Sequence, residues 1–153
     1  MVKVLVVDDE EGIRKLLSDA LKRALCEVCC VGSGPEALAA MRRQSFDVII
    51  SDLVMIQNPS VGTISELKRR LVSPEREGLE TINRIKAMNP SAKIIAISGS
   101  LPERADEFLD EAKELGVSCV FKKPFGIRAL TKAVMDLAGE STNTLQVKRK
   151  DFD

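Results

Sequence analysis

Val4-Leu5-Val6-Val7-Asp8-Asp9 opens the chain with an apolar run that stops on two carboxylates. The pattern returns three times. Val48-Ile49-Ile50-Ser51 stops on Asp52, Ile94-Ile95-Ala96-Ile97 stops on the hydroxyl of Ser98, and Cys119-Val120-Phe121-Lys122 stops on the ammonium of Lys123. Short apolar runs without alternation read as strands buried on both faces. In a parallel sheet the carboxyl ends of such strands share one edge, and ligands bind there. Asp8, Asp9, Asp52, Ser98 and Lys123 therefore converge on one point. Carboxylates held that close repel one another and need a divalent cation, a raised pKa or both.

Amphipathic stretches separate the strands. Ile13, Leu16, Leu17, Ala20, Leu21 and Ala24 follow helical spacing, and Glu27 to Val31 reads as a strand. Ser33-Gly34-Pro35-Glu36 is a capping-box start for a helix through Ala37, Leu38, Ala40 and Met41. A strand is predicted over Phe46–Ser51. Leu79, Ile82 and Ile85 mark a helix that ends before Pro90. A strand over Lys93–Ser98, a helix from about Pro102 to Leu115, a strand over Cys119–Phe121 and a helix from Gly126 to Ala138 complete the series. Ser100 and Glu103 have capping-box spacing, and Gly116 suits a C-terminal cap. Five β-α units in succession predict an α/β fold, with helices on both faces of a parallel sheet.

The 153 residues suit one domain with a full core, placed at 1–138. Residues 139–153 form a polar tail or linker stump carrying Lys148-Arg149-Lys150. Twenty-three basic residues balance 23 acidic ones, so no overall field favours nucleic acid or an anionic membrane as partner. No apolar run is long enough to span a bilayer and no secretory signal opens the chain, so a cytoplasmic location is expected. Cys26-Glu27-Val28-Cys29 has CxxC spacing but lies in a predicted strand, with no second pair and no histidine in the chain. Its cysteines are therefore read as small apolar residues in a reduced compartment. The absence of histidine also excludes His-based acid–base catalysis, catalytic triads and His-ligated metals.

One stretch breaks the rhythm. Residues 56–77 exceed the roughly 2–6 residues usual between a strand and the next helix. Thr63 and Glu66 have capping-box spacing, so Ile64–Leu71 is expected to form a short basic helix around Lys68-Arg69-Arg70. The segment is either a docking or site-covering element or a tolerated surface insertion.

Taken together, Val6-Val7-Asp8-Asp9-Glu10, Asp52-Leu53-Val54-Met55, Glu77-Gly78-Leu79-Glu80, Ala96-Ile97-Ser98-Gly99 and Lys123-Pro124-Phe125 resemble the receiver domain of two-component response regulators. The resemblance covers roughly residues 1–138. It implies a flavodoxin-like, doubly wound sheet of order 2-1-3-4-5, with the 56–77 segment inserted after the third strand. It implies Asp52 as the phosphoacceptor, forming an acyl phosphate. It implies Mg²⁺ held directly by Asp9 and Asp52, through water by Asp8, and by the Val54 carbonyl. Lys123 would neutralise a phosphoryl oxygen. Ser98 would bond another and transmit the change to a surface of the fourth helix, fifth strand and fifth helix. The implied partners are a sensor histidine kinase or histidine phosphotransfer protein as donor, and a downstream output protein or domain. No turnover substrate is implied, so the chain is not read as an enzyme. Val54 is apolar and cannot orient an attacking water, so slow self-dephosphorylation is expected. Val120 stands where the family usually carries an aromatic ring, and Ile56 where it carries proline. Too few residues follow Ala138 here for a DNA-binding domain, so direct transcriptional control by this chain alone is not expected.

Rival readings explain less. A phosphatase using an aspartyl phosphate needs a second acid two residues after its nucleophile, where this chain has Val54. Gly32-Ser33-Gly34-Pro35-Glu36-Ala37 fits a dinucleotide fingerprint, but it follows an outer strand and Pro35 removes an N–H from the phosphate cradle. The serious alternative is a phosphorylation-independent interaction module that docks through its long basic loop.

Overall fold

The computed structural model describes residues 1–53, 74–98 and 105–142. The strands are β1 (Lys3–Val7), β2 (Glu27–Val31), β3 (Val48–Asp52), β4 (Ile94–Ser98) and β5 (Cys119–Lys122). The described helices are α1 (Glu11–Arg23), α2 (Gly34–Arg43), α3 (Pro74–Met88), α4 (Ala105–Glu114) and α5 (Ile127–Thr142). All strand pairs are parallel and their order is β2-β1-β3-β4-β5, as expected.

Strand periodicity accounts for two cores. Successive side chains of a strand face opposite ways. Leu5, Val7, Ile49, Leu53, Ile94 and Ala96 pack under α2, α3 and α4, with Leu38, Ile82, Ile85 and Ala112. Val4, Val6, Val48, Ile50, Ile95 and Ile97 pack under α1 and α5, with Leu17, Leu21, Leu130 and Val134. Both faces are covered, so the central strands read as unbroken apolar runs. Each fully buried Leu or Ile contributes about 1.5–3 kcal/mol.

Several boundaries differ from expectation. Helix α3 begins at Pro74, so the last residues of the 56–77 segment are helical; proline suits a first turn because its missing N–H is one the helix leaves unbonded. Helix α5 continues to Thr142, past Ala138. The N-cap position of α1 is Glu10, whose side chain makes no capping bond. Ser33 Oγ accepts from the Glu36 N–H at 3.3 Å, but the Glu36 carboxylate takes the Gly32 N–H at 3.1 Å, one residue earlier than a reciprocal box requires. Gly116, at φ +94, closes α4 as expected. All four cysteines are free. Cys26 is buried and Cys29 and Cys119 are half-buried, but Cys30 is exposed, because β2 is an edge strand. The predicted helix over Ile64–Leu71 and the Ser100–Glu103 cap lie outside the described residues.

Candidate functional site at the carboxyl edge of the sheet

The alternation that builds the cores also aims the acids. Asp8 continues the row of Val4 and Val6, Asp52 that of Val48 and Ile50, and Lys123 that of Cys119 and Phe121. All three rows lie on the α1–α5 face, and neighbouring strands end together. Asp8, Asp9 and Asp52 each bring a carboxylate oxygen to within 4.8 Å of the others. Lys123 Nζ donates to Asp52 Oδ2 at 3.1 Å and to Asp8 Oδ2 at 3.4 Å, and Glu10 Oε1 lies 3.9 Å from it. Asp8 and Asp52 are buried, Lys123 is partly exposed and Glu10 is open to solvent.

Asp8 is held at every polar group. Its N–H donates to the Val31 carbonyl at 3.1 Å, and its carbonyl accepts from Arg14 Nη1 at 2.8 Å. Its Oδ1 accepts the Glu10 N–H at 2.9 Å. Burial raises its carboxyl above the ordinary range, against the opposing pull of the Glu10 N–H and of Lys123. For Lys123, burial acts downward and is the largest single influence. The Asp52 and Asp8 carboxylates, with Glu10 behind them, together outweigh it and raise the ammonium above its ordinary value.

Ser98 is buried at the end of β4, and its carbonyl accepts the Lys123 N–H at 2.8 Å. The hydroxyl residue and the lysine are thus tied through the backbone. The Lys123–Pro124 peptide bond is cis. Val54 and Gly99 lie outside the described residues, so the expected Val54 carbonyl ligand does too. Glu10 and Arg14 join the site without having been singled out: a bond from a side chain to a main-chain carbonyl leaves no periodic trace in a sequence. Among the described residues the donor set is carboxylate oxygen, which suits a hard cation and not a soft one.

The response regulator receiver domain model matches residues 4–73, which contain Asp8, Asp9 and Asp52. Over that stretch the chain is similar to the response regulator receiver family. Sporulation initiation phosphotransferase F of Bacillus subtilis is 26% identical to this chain over 134 residues, 86% of this chain and 90% of that protein. A probable chemotaxis protein CheY of Rhizobium etli is 27% identical over 139 residues, 90% of this chain and 93% of its own. The structure of Vibrio cholerae chemotaxis protein CheY4 superposes with a TM-score of 0.68 at 28% identity, covering 90% of this chain and 98% of that chain. Other matched relatives are longer, and this chain spans 44% or 33% of two of them. No described helix is long and apolar enough to cross a membrane.

Proposed function

We propose that this chain is a phosphoacceptor receiver, with Asp52 as the nucleophile and Mg²⁺ as its cofactor. One observation carries the reading: an acid triad within 4.8 Å has a partly exposed ammonium 3.1 Å from one member. Asp8, Asp9 and Asp52 would hold the cation, joined by the Val54 carbonyl; when bound, it neutralises charge on the acids and on the arriving phosphoryl oxygens. An Asp52 carboxylate oxygen attacks phosphorus in line. The new O–P bond forms as the donor's P–N bond breaks, and the bonding pair leaves on the imidazole nitrogen, which takes a proton. Lys123 leaves its salt bridge to Asp52 for a phosphoryl oxygen, and the Ser98 hydroxyl bonds another. Little else is needed, because phosphoryl transfer depends on positioning and charge compensation.

The donor is a phosphohistidine on a sensor kinase or phosphotransfer protein, since this chain has no histidine. The output surface is α4, β5 and α5, the unit runs through the domain placed at 1–138, and the setting is cytoplasmic. The receiver turns over no separate substrate. The test is incubation with Mg²⁺ and acetyl phosphate, followed by intact mass. A gain of one phosphoryl group that vanishes in Asp52→Ala is expected. No gain, together with unchanged amide shifts around Asp52 and Ser98 in beryllofluoride, would favour the phosphorylation-independent docking module instead.

A further inference from the structure

We propose that Arg14 is a positioning residue for the metal site, acting through the main chain of Asp8; the inference rests on the Mg²⁺ reading above. Arg14 lies in the first turns of α1, and its guanidinium reaches back to the Asp8 carbonyl at 2.8 Å. That carbonyl belongs to the peptide joining Asp8 to Asp9. The peptide is planar, so fixing its oxygen fixes the direction in which the chain leaves for Asp9. The other end of Asp8 is bonded to Val31 at the tip of β2. Arg14 is thus the second clamp on a residue whose neighbour must also present a carboxylate to the cluster.

The guanidinium is itself confined. A Cβ added at Gly32, just after β2, would lie 3.3 Å from Arg14 Nη1. The chain approaches closely there because the residue has no side chain. Gly32 is held in turn by the Glu36 carboxylate at its N–H. The β2–α2 turn therefore forms the seat of the arginine.

Charge and position predict opposite signs. Arg14 adds a positive charge beside the acids, so removing charge alone would tighten cation binding. Loss of positioning loosens it, and outer partners that orient metal ligands are typically worth roughly tenfold or more in affinity. The chain has neither Trp nor Tyr, so Mg²⁺ is titrated by amide NMR shifts. Arg14→Gln is expected to raise the Mg²⁺ Kd about tenfold, with partial recovery in Arg14→Lys. Gly32→Ala pushes on the guanidinium and leaves every acid in place, so it is expected to weaken Mg²⁺ binding measurably. A Kd for Arg14→Gln equal to or below that of the unchanged protein overturns the proposal. Should that variant fail to fold, an unchanged Kd in Gly32→Ala overturns it. Absence of Mg²⁺ shifts in the unchanged protein would instead bring down the metal-site reading beneath it.

Discussion

Asp8 shows what a buried acid costs this fold. Its side chain is 2% exposed, and burial outweighs the help of Lys123 and of the Glu10 N–H. In the folded, metal-free protein it keeps its proton to higher pH than in the unfolded chain, where the ordinary value is 3.8. Between those two values the native state carries more protons than the unfolded state, so stability from this group falls as pH rises through the window. Above the window the cost is fully present. Asp8→Asn removes it while keeping the shape. The variant is expected to unfold at higher urea than the unchanged protein at neutral pH without metal, an advantage that shrinks as pH falls toward 3.8. A metal-free variant less stable at neutral pH would show that the pairing with Lys123 dominates instead. Lys123 has the other sign: while Asp52 and Asp8 are ionised, its raised value contributes stability below 10.5, and that contribution is lost as pH climbs through the folded value.

At the scale of elements, the decisive contact is between α3 and the end of β3. A Cβ at Gly78 would fall on the Leu53 carbonyl, so the helix backbone lies directly against the strand end that bears Asp52. Gly78→Ala forces the two apart. It is expected to destabilise the protein by about 1–3 kcal/mol in urea unfolding, as overpacking does, and to slow phosphorylation of Asp52 by moving its strand end. A variant of unchanged stability would mean that α3 shifts freely. This contact also separates what the sequence discloses from what it hides. The two interleaved apolar rows of β1, β3 and β4 were legible because a strand buried on both faces stays apolar until its carboxyl end, where the polar residues gather. The start of α3 was not: Ser73-Pro74 and the acids Glu75 and Glu77 are start signals, but no apolar period before Leu79 carries the helix back to them. The close approach at Gly78 could be read only as a family motif, since a glycine does not announce which backbone it admits.

Across the whole molecule, the site is a consequence of topology. Asp8, Asp52 and Lys123 are far apart in sequence, and parallel pairing alone brings their strand ends to one edge. That convergence was legible because strand-end polarity survives any change of surface sequence. The roles of Glu10 and Arg14 were not, because they depend on where α1 sets down after the turn. Cation ligands drawn from two separate strand ends couple cation binding to the fold, since neither segment retains the site when unfolded. Mg²⁺ at roughly 100 times its Kd contributes ~2.7 kcal/mol, and in a chain of this size that raises Tm by about 5–10 °C. The rise should be read by circular dichroism against sodium chloride of equal ionic strength, which separates site binding from screening. Protons compete with the cation for the carboxylates, and Asp8 holds its proton unusually well, so the rise should shrink in mildly acidic buffer. Asp52→Ala should abolish most of it. Equal rises with both salts, or a rise indifferent to pH, would mean that these acids do not bind the ion as one group.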